Sequence, residues 1–513
     1  MRSSVFSRAL AAAAVTALGA AGTTGVAHAS VVSAGTTVRA TTVKAAATGA
    51  KPYDFNGDGY ADLALGDPYG KVGSLTSAGF VTIVYGSKSG ANTAKKQVIS
   101  QNTSGVPGAA EKTDHFGYSL ASLDYDRDGY ADLLVGTPDE DTTAGTNAGS
   151  ETILWGSKSG LTGTGSQTMA EPSNAGANHR FGFSVTTGDF DGDGLTDWVD
   201  TSPGDAYFWT FTTSSQNLRA AAAARTFRPA AKGRPVRGSQ KGIHAAAATT
   251  LDALVPVGGD VNGDGRLDLI VGWRNSKAEA KYQYGFDVWT DISAVSQDPA
   301  KEVLTKLDGL AAGDFNGDGY ADVAAGAADD SGRAHSHLVV FPGGADVAMD
   351  ASYLVNQETA GVPGATALGD KFGTSLSAGD VNKDGKADLA VGVPGRTVSG
   401  AARAGEAIVL YGGTDGLTGT GSQAVSQSTS GVPGSAETDD AFGTGVSLLD
   451  ITGDGYADLI AGASGENSLD GCVSVLKGGT SGVTGTGSAT FGAGTVGVSG
   501  KGAQLGRVIG RIG

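Results

Sequence analysis

The sequence predicts an all-β fold, a seven-bladed β-propeller of four-stranded blades. The motif D-x-[DNT]-x-D-G-x-x-D occurs seven times, and its successive first aspartates lie 70, 65, 71, 54, 66 and 70 residues apart. Short β-branched runs separated by Gly and Asn/Asp turns follow each copy, a pattern that is typical of strands. A four-strand unit repeated at this spacing is the signature of propeller blades.

Each repeat contains the same elements in the same order. A strand-like run that opens with Phe-Gly precedes the motif, and each Phe lies eight residues before the first Asp. The Phe-Gly pairs are Phe116-Gly117, Phe181-Gly182, Phe372-Gly373 and Phe442-Gly443. A short apolar run follows the motif, as in 133–138, and a third run follows that, as in 80–85. A more polar fourth segment, such as 96–101, completes the predicted blade.

The two ends of the repeat region complement each other. Residues 504–512 align with the strand that precedes a motif, with Leu505 in the Phe position, but no motif follows them. The first motif, at Asp54, has no Phe-Gly strand before it. We therefore expect the C-terminal strand to pair into the first blade and close the ring, which removes exposed sheet edges.

Composition limits the function classes. Acidic residues exceed basic ones by 53 to 36, giving a formal charge of −17, so nucleic-acid binding is not expected. Of these acidic residues, 23 occupy motif positions 1, 3, 5 and 9, which makes the acidity local to the loops. A single cysteine, Cys472, excludes an intramolecular disulfide and a cysteine-ligated zinc site.

The N-terminus is typical of an export signal. Arg2 and Arg8 precede the Ala/Leu/Val run 9–21, and Ala27-His28-Ala29 supplies a small-x-small cleavage pattern. The run is too short and too rich in Ala for the alternative, a transmembrane anchor. We expect a signal peptide at 1–29, a flexible leader at 30–50, a propeller at 51–513 and a secreted, extracellular monomer with no membrane span in the mature chain.

The motif itself has the chemistry of a calcium loop. Oxygen-bearing side chains at positions 1, 3, 5 and 9, a carbonyl at position 7 and a glycine at position 6 suit a hard cation. The EF-hand alternative needs an acid at position 12, where six of the seven motifs have an apolar residue. A plain Asp/Gly turn is the other alternative, and it applies most to the motif in which Thr452 replaces an acid or amide.

The predicted ligands are positions 1, 3, 5, 7 and 9 of every motif, for up to seven structural calcium ions. They are Asp54, Asn56, Asp58, Tyr60, Asp62, Asp124, Asp126, Asp128, Tyr130, Asp132, Asp189, Asp191, Asp193, Leu195, Asp197, Asp260, Asn262, Asp264, Arg266, Asp268, Asp314, Asn316, Asp318, Tyr320, Asp322, Asp380, Asn382, Asp384, Lys386, Asp388, Asp450, Thr452, Asp454, Tyr456 and Asp458.

Phe-Gly, the acidic loop and the following Leu-Val-Gly-x-Pro strand together resemble the FG-GAP repeat of integrin α-subunits and of secreted bacterial FG-GAP/VCBS proteins. The resemblance covers about 51–513. It implies a seven-bladed propeller with calcium between the first two strands of a blade. The sequence departs from the pattern at Asp252-Ala253 and Lys306-Leu307, which replace Phe-Gly, so blades four and five should be irregular.

Function follows less directly from the sequence. Residues 214–250 contain seven basic and no acidic residues, and we interpret them as a basic loop insertion, either a solvated loop or a docking arm for an anionic partner. No common catalytic motif is present, so we expect no catalytic residues, no enzyme activity and no cofactor besides calcium. The expected function is a non-catalytic adhesion or binding module for an extracellular protein or polysaccharide. The alternatives are a lectin, or a propeller-type polysaccharide lyase or hydrolase.

Overall fold

Every strand of the computed structural model belongs to one of seven four-stranded antiparallel sheets. The structure describes residues 49–171, 176–203, 205–209, 234–236, 251–275, 284–290, 299–328, 336–498 and 502–511. The predicted signal peptide and nearly all of the predicted leader lie outside these residues. Six sheets have described side chains in all four strands. In the third blade, the two outer strands, at 205–209 and 234–236, are described in backbone alone.

The strands are short, and in every blade but the first the four strands are successive in the chain. They are β1 Leu63–Asp67, β2 Phe80–Tyr85, β3 Asn92–Ile99, β4 Ser119–Leu123, β5 Asp132–Thr137, β6 Ser150–Trp155, β7 Thr162–Met169, β8 Ser184–Gly188, β9 Asp197–Ser202, β10 Asp205–Trp209, β11 Arg234–Val236, β12 Leu251–Gly259, β13 Asp268–Asn275, β14 Tyr284–Trp289, β15 Lys301–Val303, β16 Gly309–Gly313, β17 Asp322–Ala327, β18 His337–Phe341, β19 Tyr353–Val355, β20 Leu376–Gly379, β21 Asp388–Val393, β22 Glu406–Leu410, β23 Gln423–Val425, β24 Phe442–Leu449, β25 Asp458–Ala463, β26 Cys472–Lys477, β27 Thr484–Gly492 and β28 Val508–Ile509.

The innermost strands form a closed circle. Strand β28 contacts β4, and contacts continue from β4 to β8, β12, β16, β20 and β24 and back to β28. The ring closes as the sequence predicts, because β28 pairs with β1 through Leu65–Ile509 and Gly66–Val508. The molecule is therefore an all-β propeller whose first blade takes its inner strand from the C-terminal end of the chain.

The Phe-Gly step joins each blade to the one before it. Phe116 is fully buried, and its backbone N–H donates to the carbonyl of Ala78 in the preceding blade at 3.0 Å. The contact is so close that a Cβ on Gly79 would lie 2.2 Å from the Phe116 carbonyl oxygen. Leu505 makes the equivalent bridge with Gly471, which explains why it aligns with the phenylalanines.

The two repeats without Phe-Gly keep the same architecture by other means. Strand β12 runs through Asp252 and Ala253 with a register shift at that point. In the next blade Leu307 is 7% exposed and packs into the core in place of a phenylalanine. Both blades remain four-stranded.

The predicted basic insertion contributes to a blade. Residues Arg234–Val236 form β11, the outermost strand of the third blade, and pair with β10. The rest of 214–250 lies outside the described residues. Two single-turn segments, α1 Glu466–Leu469 and α2 Ala493–Val496, complete the described elements. Over the described ranges, no helix combines the length and hydropathy that a membrane crossing requires.

Candidate metal sites in the inner loops

All seven acidic loops lie between the innermost strand of a blade and the strand that follows it. In each loop the ninth-position aspartate opens the second strand, or directly precedes it in the first blade. Because the inner strands are arranged as a ring with the same direction, the loops gather at one end of the propeller. Among the described residues, three carboxylates converge in two of these loops, the second and the third, and the other predicted ligand positions stay predictions.

The first loop shows the shared internal geometry. The carboxylate of Asp54 accepts the backbone N–H of Asp58 at 3.0 Å and of Gly59 at 2.9 Å. The Asp58 carboxylate in turn accepts the N–H of Tyr60 at 3.2 Å. Gly59 has a φ of +91°, a conformation that favours glycine and that turns the chain around the carboxylates. These bonds, and the one that the Asn56 Oδ1 atom accepts from the Asp58 N–H at 2.9 Å, aim the carboxylates of positions 1 and 5 and the amide oxygen of position 3 toward the inside of the loop.

The ninth aspartate holds the loop to the rest of the blade. Asp62 is fully buried, and its two oxygens accept the N–H of Phe55 at 3.0 Å and of Gly86 at 2.9 Å. Burial raises the pKa of Asp62 to about 8, and nearby loop aspartates add to the effect. Asp268 and Asp388 have a pKa raised to about 7 by the same cause. A buried carboxylate of this kind is stabilised by a cation beside it.

The second and third loops have the densest carboxylate clusters. Ligand oxygens of Asp124, Asp126 and Asp128 all lie within 4.8 Å of one another, as do those of Asp189, Asp191 and Asp197. The Oδ1 atoms of Asp124 and Asp189 are buried and have no hydrogen-bond partner among the described residues. Converging oxygens with unused lone pairs are the donor set of a hard divalent ion. The residues present fit calcium.

Three of the four loops with asparagine at position 3 differ in one contact, which the first loop lacks. In the fifth loop the Nδ2 atom of Asn316 donates to Asp318 at 2.9 Å, so the amide nitrogen already satisfies one carboxylate oxygen. In the fourth loop Arg266 also forms an ion pair with Asp264 at 3.0 Å, and this hydrogen bond lowers the pKa of Asp264. These internal partners compete with a metal ion for the same oxygens.

The loop that contains Thr452 has a weaker donor at position 3. The Thr452 hydroxyl oxygen is buried and has no hydrogen-bond partner among the described residues. Its backbone N–H donates to Asp458 at 3.1 Å, as other loops do at this point. The hydroxyl therefore lies inside the loop as a neutral ligand atom.

Sequence analysis did not predict the contacts between neighbouring loops. The Tyr130 side chain packs on Gly57 of the preceding loop so closely that a Cβ there would lie 2.7 Å from its ring. The N–H of Ala131 also donates to the Asp54 carbonyl at 3.0 Å. Tyr320 packs on Gly263 in the same way. The sequence signal that could have predicted this contact is a glycine at motif position 4 combined with a large residue at position 7 of the next motif.

Family models match five ranges of the chain, which contain six of the seven acidic loops. The FG-GAP repeat matches residues 48–84, 116–152, 372–410 and 442–491, and the FG-GAP-like repeat matches 260–325. The propeller fold, the Phe-Gly bridges and the acidic loops coincide with these matches. The chain is a β-propeller that carries FG-GAP repeats.

Curated relatives share parts of this repeat region. Phosphatidylinositol-glycan-specific phospholipase D of Mus musculus is 32% identical over 151 residues, which cover 29% of this chain and 17% of that protein. Integrin alpha-6 of Gallus gallus is 39% identical over 85 residues, which cover 16% of this chain and 7% of that protein. The chain thus matches less than a fifth of the length of either relative.

A solved structure was also similar. It is an Agrocybe aegerita lectin described as recognising non-reducing terminal N-acetylglucosamine. The TM-score is 0.42 and the sequence identity 15%, over 88% of this chain and 94% of that chain.

Proposed function

We propose that this protein is a secreted, calcium-stabilised seven-bladed propeller that acts as a non-catalytic binding module for an extracellular protein or glycan. The observation that carries the proposal is the convergence of carboxylate oxygens in the inner loops, together with the matches to FG-GAP repeats. The similarity to integrin α-subunits supports the adhesion part of this proposal.

Calcium would be held by the side chains of positions 1, 3, 5 and 9 and by the carbonyl of position 7 in each loop. The Asp124 and Asp189 loops, with four carboxylates each, are the strongest candidates. An ion there would neutralise clustered charge and fix the turn between two strands. Its role is structural, because the ninth aspartate is fully or almost fully buried and bonded to backbone amides.

The contacts of the ninth-position aspartates support a structural rather than a catalytic role. Asp132, for example, accepts the N–H of Tyr125 at 2.8 Å and of Gly156 at 2.7 Å, so both oxygens organise backbone. The similarity to a phospholipase D covers only a small part of that enzyme, so its activity is not transferred to this chain.

Two experiments test the proposal. Capture of extracellular proteins and a glycan array, each with calcium and with chelator, should yield a ligand retained only with calcium. Assays on polysaccharides should give no turnover. Calcium-independent retention would contradict the dependence of binding on the loops, and turnover of a polysaccharide would favour the lyase or hydrolase alternative.

A further inference from the structure

The central channel of the propeller has a polar mouth at the end opposite the acidic loops. A cavity of about 190 Å³ there is lined by inner-strand residues from six sheets. Tyr118, Phe183 and Arg507 each follow the Phe-Gly step or its equivalent, so they lie where the inner strands begin. A second cavity, of about 410 Å³, lies toward the loops and is lined by Asp380 and Asp450.

Arg511 lies between the two cavities and lines both. Its Nη1 atom donates to the Leu376 carbonyl at 3.0 Å, across the channel. Among the described residues no carboxylate forms an ion pair with it. Burial lowers the pKa of Arg511 from its usual range. A guanidinium held in a channel without a direct ion pair is an attractive partner for an anion.

Two further polar groups lie at the same mouth. Arg507 is exposed, and its guanidinium lies 5.2 Å from the centre of the Tyr69 ring. Within the described ranges its one side-chain hydrogen bond is donated by Nη1 to the Gln504 side chain at 2.8 Å. The hydroxyl oxygen of Thr186 is buried in the cavity wall and has no hydrogen-bond partner in the described part of the chain. Arg507, Arg511 and Thr186 are thus three hydrogen-bond donors that line the same cavity.

Aromatic side chains form the rim on one side. The rings of Tyr118 and Phe183 lie 5.1 Å apart and are partly exposed. Arg180 lies over the Phe183 ring at 5.2 Å, but Asp139 neutralises it through bonds of 2.8 and 3.0 Å. The unneutralised positive charge of the mouth is therefore that of Arg507 and Arg511, next to ring faces that suit a sugar.

We propose that the mouth of the central channel is an anion-binding site in which Arg507 and Arg511 bind the carboxylate or sulfate of an acidic sugar. The sugar ring lies against Tyr118 and Phe183, and Thr186 donates to the same anionic group. The proposal of this site rests on the proposed binding function and specifies the class of ligand. A local positive mouth attracts such a ligand despite the net negative charge of the chain.

Titration calorimetry of the full, calcium-loaded chain tests the proposal, with glucuronate, glucose and inorganic sulfate as probes. Glucuronate should bind and glucose should not, and Arg507→Gln should weaken glucuronate binding at least about tenfold. Arg507→Lys should lose less, because it keeps the charge. Arg511→Met should abolish binding, with folding checked by a thermal melt. Arg403→Gln, an exposed arginine outside the cavity, is the matched control.

Three results would overturn the site. These are no glucuronate binding by the unaltered chain, equal binding by Arg507→Gln, and sulfate binding as tight as glucuronate binding, which would remove the role of the sugar. The exposed Arg507 keeps the test valid if Arg511→Met fails to fold. Calcium-dependent capture tests the proposed function separately. A failure of the calorimetric test would therefore overturn this anion site without overturning the proposed function.

Discussion

Glu151 on β6 and Asp200 on β9 interact across the boundary between two adjacent blades, and both side chains are fully buried. Burial, followed by the charge of Asp200, raises the pKa of Glu151 well above its usual range. Trp198 donates its indole N–H to Asp200 at 2.7 Å. The pair therefore keeps a proton in the folded state, because two buried carboxylates cannot both ionise at low cost.

Replacing Glu151 with Gln should flatten the pH dependence of stability. The native state holds the proton while the unfolded state releases it above its ordinary pKa, so rising pH destabilises the unaltered chain by up to about 1.4 kcal/mol per pH unit. Glu151→Gln removes this loss between about pH 5 and 8. Denaturant melts at several pH values in saturating calcium measure it, with the exposed Glu358→Gln as control. Parallel pH curves for Glu151→Gln and the unaltered chain would disprove the shared proton.

Leu505 should contribute strongly to stability, since it anchors the segment that leads into β28, the strand that completes the first blade. It is fully buried and bridges to Gly471. Leu505→Ala should cost about 2–5 kcal/mol of unfolding free energy. The control Leu354→Ala, at a side chain 62% exposed, should cost less than about 0.5 kcal/mol. Equal losses in chemical denaturation would contradict the closure of the ring by the C-terminal strand.

The contact between adjacent loops predicts different effects for two glycines of one loop. Gly57 and Gly59 both have positive φ, so alanine strains the backbone at either. A Cβ on Gly57 would also meet the Tyr130 ring at 2.7 Å, while nothing lies within 4 Å of one on Gly59. Gly57→Ala should therefore destabilise by about 1–3 kcal/mol more than Gly59→Ala. Identical melting temperatures would mean that the loops are independent.

Loops with different donor sets should lose different amounts of calcium-dependent stability. Asp126→Ala removes one carboxylate from a cluster of three, in a loop that has four, whereas Thr452→Ala removes a neutral hydroxyl. We expect Asp126→Ala to lose about 1.4 kcal/mol, the share of one site at calcium roughly tenfold above its dissociation constant. Thr452→Ala should lose less. The measurement is the difference between melts with calcium and with chelator for each variant, and a larger loss for Thr452→Ala would count against this ranking of the loops.

The sequence predicted the repeated elements well because each depends on local pattern. The four-strand unit, the acidic loops and the alignment of Leu505 with the phenylalanines all follow from residues within one repeat. The Glu151–Asp200 pair and the position of Arg511 depend on how blades meet around the ring. Glu151 and Asp200 do stand at positions that are apolar in other repeats, such as Val81 and Val135, but only the assembled ring shows that they meet.

A thermal melt of the full chain in calcium, in magnesium and in chelator tests the central claim most directly. Extracellular calcium loops bind at about 10⁻⁴–10⁻³ M, and each filled site adds about 1.4 kcal/mol at calcium tenfold above its dissociation constant. Calcium should raise the melting temperature steeply over chelator, and magnesium should restore little of it, since it requires a smaller octahedral site. Coincident melts in all three conditions would contradict the account, because the seven loops would then be turns that hold no ion.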